Sequence, residues 1–417
     1  MRCGSFISAS LLLCTLISCT GNEQVSEPYL PLVRKALTDT SSVAWHMLEG
    51  YRDGNVAGTI ALAGDYDPLC RLVSEFLRSD RFDNIDGSGN GDELHDFAGE
   101  TFAPVFDIAN SPYGGYVDAG NVPALREAAV SMAISSLSGN CYTNTFDEKP
   151  SAAKTPAKVF ILCSPYLCRY ALKDIDTLVV SRGLDVPVLS MTDEMFRLAG
   201  MRHRGGRIAV IAGGKELEHG LYRDVYERVK GDDEDFPAYM EHAASGKDSR
   251  AVFMEFLDSC VISGLQEKIS AVLVGNSSDS VDVRGLNAAL EEIRTSQGIV
   301  MENCRAVLAD DFEFISGEDA VIRACYRVLR AGNLFTHRIA YPSVKAYVTV
   351  PSSDVPLENV DFGGTIEQRF KYNHSADASV QITRALPVSR LYMDEERLER
   401  INRLVAPVIL EMDRSAD

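Results

Sequence analysis

The chain has 417 residues, a formal net charge of −19 at neutral pH and 46% apolar residues. So acidic a molecule repels nucleic acid and anionic lipid headgroups, which excludes both as general partners and leaves room only for a local basic pocket. The length is more than one ordinary hydrophobic core holds, so two lobes, or a core with additions, are expected.

Residues 1–18 carry a single charge, Arg2, followed by an apolar run from Phe6 to Ile17. The run is long enough for a secretory signal and too short to span a bilayer stably. It ends in Leu16-Ile17-Ser18-Cys19. That ending resembles the bacterial lipobox, an aliphatic residue three before a cysteine and a small one just before it. The resemblance implies cleavage before Cys19, acylation of that thiol and a lipoprotein held on a bilayer of the bacterial cell envelope. Thr20 follows where the inner-membrane retention signal has Asp, which favours the outer membrane. Several acyl chains, at about 0.8 kcal/mol per buried methylene, make such an anchor effectively permanent. Residues 19–30 are polar, contain a proline and read as a tether.

From residue 31 onward, short aliphatic runs alternate with longer amphipathic ones, the pattern of strands followed by helices. The spacing predicts strands at Thr59–Ala63, Phe102–Asp107, Lys158–Cys163, Val186–Ser190, Arg207–Ala212, Lys268–Val274, Ile299–Glu302 and Ala306–Leu308. Between them it predicts helices at Pro68–Arg78, Val122–Leu137, Pro165–Val180, Thr192–Leu198, Leu217–Val229, Phe236–Val261, Leu286–Ser296 and Gly317–Leu329. Continuous aliphatic strands separated by helices imply mostly parallel sheets covered on both faces. The class is therefore α/β, with two doubly wound lobes at 31–200 and 201–340 meeting near Gly200–Gly206. After residue 340 the pattern changes. Ala346–Val350, Thr365–Tyr372 and Ser379–Thr383 read as an antiparallel group, and Asp394–Leu410 as a terminal helix, so 341–417 forms a β-rich extension.

In open α/β sheets ligands bind beyond the carboxyl ends of strands, and the residues just after each run are the places to search. Asp65 and Asp67 follow the first strand; they are either a cap and a turn or a pair of ligand contacts. Cys163 and Ser164 end the Lys158–Cys163 strand and open a helix, where a thiol is acidified. Asn276, Ser277 and Asp279 follow the Lys268–Val274 strand, and Asn303 follows Ile299–Glu302. Arg202, His203, Arg204 and Arg207 offer an anion site or a charged lobe junction. In the glycine-rich stretch 86–100, Asp86, Ser88 and Asn90, with Gly91 sixth, resemble the opening of an EF-hand calcium loop. The twelfth position there is Phe97, where that loop has a bidentate Glu.

Seven cysteines follow Cys19, an odd number, so they cannot all pair. Cys163 and Cys304, each at an expected strand end in a different lobe, resemble the paired thiols of the aspartate/glutamate racemase family, which trade protons with substrate. Arg305-Ala306-Val307 stands where that family has its threonine- and histidine-containing motif. A nucleotide-binding glycine fingerprint, a phosphate loop, a zinc-protease motif and a GxSxG elbow are all absent from the sequence.

Three functions stay open. The organisation is similar to the periplasmic substrate-binding proteins, which implies a small polar ligand held between the lobes. The alternatives are an envelope enzyme, either a metal-assisted hydrolase using the acidic loop or a cysteine-dependent isomerase, and a structural or assembly lipoprotein.

Overall fold

The computed structural model describes residues 29–244, 248–275, 281–361, 365–377 and 381–403. Its strands, in chain order, are β1 (Thr59–Gly64), β2 (Thr101–Phe106), β3 (Asn140–Cys141), β4 (Ala152–Ala153), β5 (Ala157–Leu162), β6 (Val188–Ser190), β7 (Arg207–Gly213), β8 (Ala238–Ala244), β9 (Ile269–Val274), β10 (Leu308–Ser316), β11 (Ser343–Val344), β12 (Tyr347–Pro351) and β13 (Thr383–Pro387). The larger sheet runs β13-β12-β2-β1-β5-β6, with β11 also on β2; the second runs β10-β9-β7-β8. Apart from the antiparallel pairs β12–β13 and β3–β4, the ladders are parallel. The α/β class expected from the sequence is the class of the molecule.

Sequence explains the central strands directly. Every residue of β1 and of β5 is buried, because helices cover both sheet faces and leave no polar side for alternation to mark. The flanking helix Tyr66–Leu77 buries Leu69, Leu72, Val73, Phe76 and Leu77, one apolar stripe at helical spacing. Phe76, Phe97 and Phe102 meet edge to face or tilted beneath it, with ring centroids 5.0 to 5.7 Å apart.

The second sheet is an insertion into the first unit. All four of its strands lie between Arg207 and Ser316. The helix Gly317–Ala331 then returns the chain, burying Val321, Ile322, Cys325, Tyr326 and Leu329 in the core under the first sheet. After it, β11 and β12 pair parallel with β2, and β13 closes that edge. A buried ion pair fixes the crossing. Lys158 Nζ lies 2.8 Å from Glu100 Oε2 and donates to the carbonyls of Val56 and Leu334, while Glu100 accepts from Thr336 N.

Several elements differ from the sequence expectation. Residues 299–302 belong to a helix, Ile299–Ala306, which turns Cys304 inward and leaves Ile299 and Val300 exposed. Thr365–Tyr372 is no strand; Glu367 accepts from Phe370 N and caps a helix at Gln368–Asn373. The helix expected over 236–261 divides into β8 and Ser249–Ile262, with Asp248 capping the latter. The first two residues of the strand expected at Ser379–Thr383 lie outside the described residues, and β13 begins at its last. Residues 395–403 are helical, and the remainder of the expected terminal helix is also outside them. Among the described residues no helix is long and apolar enough to cross a membrane.

Candidate functional site

The carboxyl ends of β1, β2 and β5 lie side by side and face those of β7 and β9. Asp65 is the first residue after β1. It holds the cap position of the helix Tyr66–Leu77, yet its side chain accepts no capping bond. Instead it accepts from Ser111 Oγ at 2.8 Å, in the loop after β2. The Ser164 hydroxyl, after β5, approaches the same carboxylate without forming a well-aligned hydrogen bond to any group. Burial pushes the Asp65 carboxyl up to about 6; the two serines pull against that and the charge of Asp107 adds to it.

Asp107, the first residue after β2, is fully buried. It accepts from Thr349 Oγ1 at 2.6 Å, Asn110 Nδ2 at 2.7 Å and Tyr113 Oη at 2.8 Å. Burial raises its carboxyl despite these donors. Lys371, on the capped helix Gln368–Asn373, is buried and donates to the Ser111 carbonyl at 2.5 Å. This lysine ties the C-terminal segment to the loop that holds Asp65.

In front of Asp65 opens a cleft of about 590 Å³. Its walls include Asp65, Ser111, Asp361, Lys371, Arg397 and Arg400. Arg400 is paired with Asp67 at 2.9 Å, and Arg397 with Asp394 at 2.8 Å, so the cations of the wall are committed. Near Asp65, outside the lining of this cleft, stand Tyr166, on the helix that follows β5, and Glu216 and His219, just after β7. Asp65 and Glu216 act on each other and on the Tyr166 phenol. Tyr166 Oη lies 3.0 Å from His219 Nδ1, and His219 Nε2 lies 3.0 Å from Asp118 Oδ1. Glu216 accepts from Tyr222 Oη at 2.9 Å, and a Cβ on Gly275, at the end of β9, would sit 2.1 Å from that same oxygen.

The residues singled out from the sequence fall into three groups. Asp65, Cys163 and Ser164 come together at the strand ends, and Asp67 lies on the cleft's outer wall. Asn276, Ser277 and Asp279 lie outside the described residues, although Gly275 just before them abuts the Tyr222–Glu216 pair. Asn303 is exposed on the helix Ile299–Ala306 and belongs to no strand end. Cys304, on the same helix, packs into the second lobe's core, so it is not the counterpart of Cys163. Cys163 is a neutral thiol: burial drives it well above the usual range, outweighing the short helix that follows, and its Sγ donates to the Ile161 carbonyl.

The glycine-rich loop precedes β2, whereas the cleft follows it, so the two lie at opposite ends of the sheet. Asp86 is exposed, and its Oδ1 accepts from Ser88 N at 2.6 Å. Asp83, Asp80 and Asp92 likewise spend their oxygens on backbone amides of the loop. Among the described residues no three His, Cys, Asp or Glu side chains are grouped to hold a metal ion. The proposed anion cluster is also satisfied from within: Arg202 and His203 meet Glu313, Arg204 meets Asp233 and Asp235, and Arg207 meets Glu267.

Sequence reasoning missed Asp107, Ser111, Tyr166, Glu216, His219 and Lys371. Asp107 is the last residue of the strand expected at Phe102–Asp107 and Glu216 lies four residues after the one at Arg207–Ala212, so the strand-end rule, applied to every strand, finds both. Lys371 had no such signal, because its helix reads as an alternating strand.

No protein-family model matches the chain, and no curated protein matches it. Among solved structures it is similar to a glutamate racemase from Bacillus anthracis, with 13% identity over 70% of this chain and 88% of that one and a TM-score of 0.40. A glutamate racemase from Francisella tularensis aligns at 12% identity over 77% and 95%, with a TM-score of 0.40. Allantoin racemase from Pseudomonas fluorescens aligns at 12% over 67% and 94%, with a TM-score of 0.32. The identities and scores are low throughout.

Proposed function

We propose that this protein is a lipid-anchored envelope protein that binds a small polar ligand in the cleft at the ends of β1, β2 and β5. The carrying observation is the Asp65 side chain. A carboxylate at a helix cap position ordinarily bonds the free amides of the first turn; this one is drawn off by Ser111 and turned toward the cleft, at the cost of burial. Buried polar groups held away from their structural partners mark binding sites. A thermal-shift screen of the mature protein against amino acids, sugars, nucleosides and phosphorylated metabolites tests the reading. At a hundredfold excess over its dissociation constant, a ligand adds about 2.7 kcal/mol of stability. The reading requires that Asp65→Asn abolish the shift; a ligand that still binds the variant unchanged sits elsewhere.

The raised Asp65 carboxyl favours a second reading. A group that titrates near 6 is matched to general acid–base work at neutral pH. Incubating each hit with the protein in deuterium oxide separates the two: deuterium entering a carbon position, seen by NMR, makes the protein an isomerase-type enzyme, and an unexchanged hit leaves it a binder.

A further inference from the structure

Part of the cleft wall comes from the far end of the chain. Residues 365–377 supply Thr365, Ile366, Gln368 and Lys371 to a lining that also holds Asp65 and Ser111 of the first lobe. This strap is tied to the first lobe at several points. Ile366 and Phe370 pack with Ala109 in a small apolar cluster. Lys371 donates to the Ser111 carbonyl, and the Tyr372 hydroxyl donates to the Pro112 carbonyl at 2.9 Å. The Tyr372 ring lies against Gly115, where a Cβ would come within 2.2 Å of it, so only glycine admits the approach. Asn121 Nδ2 donates to the carbonyls of Tyr372 and His374, at 2.9 and 2.7 Å.

The contact at the strap's end is of another kind. Glu127, on the helix Val122–Leu137, is only 6% exposed. It accepts from the backbone amide of Asp377, while its Oε1 has no hydrogen-bond partner among the described residues. With Asn110, Ser131, His374 and Thr383 it lines a chamber of about 20 Å³, room for about one water. Such a place suits a carboxylic acid better than a carboxylate. Burial pushes the carboxyl up to about 7, and the charge of Asp377 adds to the rise. The other charged groups on the surrounding elements are engaged elsewhere. Arg126 holds Asp174 with two bonds of 2.8 Å, Asp107 has its own three donors, and Arg384 of β13 donates to the carbonyls of Thr145 and Asp147. Arg169 pairs with Asp224, and Asp118 with His219 and Lys215. On the strap itself, Lys371 is spent on Ser111, and His374 has Nδ1 2.7 Å from the Lys371 carbonyl.

We infer that residues 365–377 form a strap on the cleft that Glu127 latches while it carries its proton and releases when it loses it. Release also loosens Lys371 from the Ser111 loop, whose hydroxyl holds Asp65, so the latch reaches the cleft. That regulation of binding rests on the proposed reading of the cleft; the latch itself does not. The sign follows from the two states. With the strap closed the carboxyl titrates near 7, and open to water it returns to its ordinary value near 4.5. The closed strap therefore holds the proton more tightly. Its advantage is full below about 4.5 and is lost as pH rises through about 7. His374 and Lys371, both lowered by burial, act in the opposite sense and favour release on the acid side.

The test is hydrogen exchange on the ligand-free mature protein at pH 5.5 and pH 8, read as protection factors of peptides within 366–377. Glu127→Gln keeps the shape of the side chain and stays neutral, so comparison with it cancels every other titrating group. The opening of the wild-type strap relative to that of Glu127→Gln is expected to grow roughly tenfold or more between the two pH values, with protection of β1 and β5 unchanged. Asp377→Asn, which removes the facing charge, is expected to shrink that growth. A ratio that stays constant across the window overturns the latch. Growth spread equally over β1 and β5 also overturns it, because Glu127 then titrates with global unfolding. For a ligand found by thermal shift, affinity in Glu127→Gln relative to wild type is expected to rise over the same window; a constant ratio beside a moving strap overturns the regulation. A screen without hits fells the binding reading alone, since the exchange experiment needs no ligand.

Discussion

Asp65 carries a stability cost that a pH series exposes. Its carboxyl is raised in the folded chain relative to an unfolded one, so the folded state holds the proton more tightly. The contribution of this group to stability is full below the ordinary carboxylate range near 3.8 and is lost as pH rises through about 6. The ligand-free protein at pH 7.5 therefore bears a charged carboxylate that its surroundings disfavour. Asp65→Asn is expected to stabilise the ligand-free protein at pH 7.5 by roughly 1–3 kcal/mol, with the gain gone by pH 4. Denaturant titrations at the two pH values measure it, and a variant equally or less stable at pH 7.5 overturns it. The thiols make a second residue-scale case. All seven cysteines after Cys19 are buried and free, and burial raises Cys70, Cys163, Cys168 and Cys325 with the rest. Because the thiolate is the reactive form, Ellman's reagent at pH 8 should leave these seven untouched in the native protein and label them on unfolding.

At the scale of elements, the Lys158–Glu100 pair sets how the returning chain is held. Burial pushes the Glu100 carboxyl up and the Lys158 ammonium down, and their mutual attraction opposes both shifts. Removing one partner strands a buried charge with two carbonyls or an amide beside it. Lys158→Met is expected to cost about 3–5 kcal/mol, and the double variant Lys158→Met with Glu100→Gln distinctly less. Chemical denaturation of the single and double variants reads this directly. The same scale shows what the sequence made legible. The central strands β1, β5, β7 and β9 are continuous aliphatic runs and announce themselves. β8 and β10 do not, because both are edges of the second sheet. Every residue of β8 is partly or fully exposed, and β10 carries exposed Asp310 and Asp311 near its start, the charged dress of an edge strand. The short helix Gln368–Asn373 was hidden by a chance alternation over a few residues and is decided by the Glu367 cap. The site was legible in the same proportion. Groups at the ends of the central strands, Asp65, Cys163 and Ser164, followed from strand position; His219 and Lys371 came from elements whose placement only tertiary packing decides.

For the whole molecule, the anchor is the first thing to establish, and it rests on Leu16–Cys19, outside the described residues. Cys19→Ala is expected to leave the protein unprocessed or release it from membranes; metabolic labelling with a palmitate analogue checks it, and undiminished label in the variant refutes it. The inserted second sheet bears on how such a molecule is made. Among the described residues, the edge of β2 away from β1 is closed by β11 and β12, which the chain supplies after the entire second lobe. During synthesis, the N-terminal part emerges with a buried-type strand, Thr101–Phe106, open along one side. Unpaired edges of this kind recruit other chains. A nascent or truncated product ending before Ser343 therefore exposes an edge open to other chains for the whole interval in which the first lobe's own last strands do not yet exist.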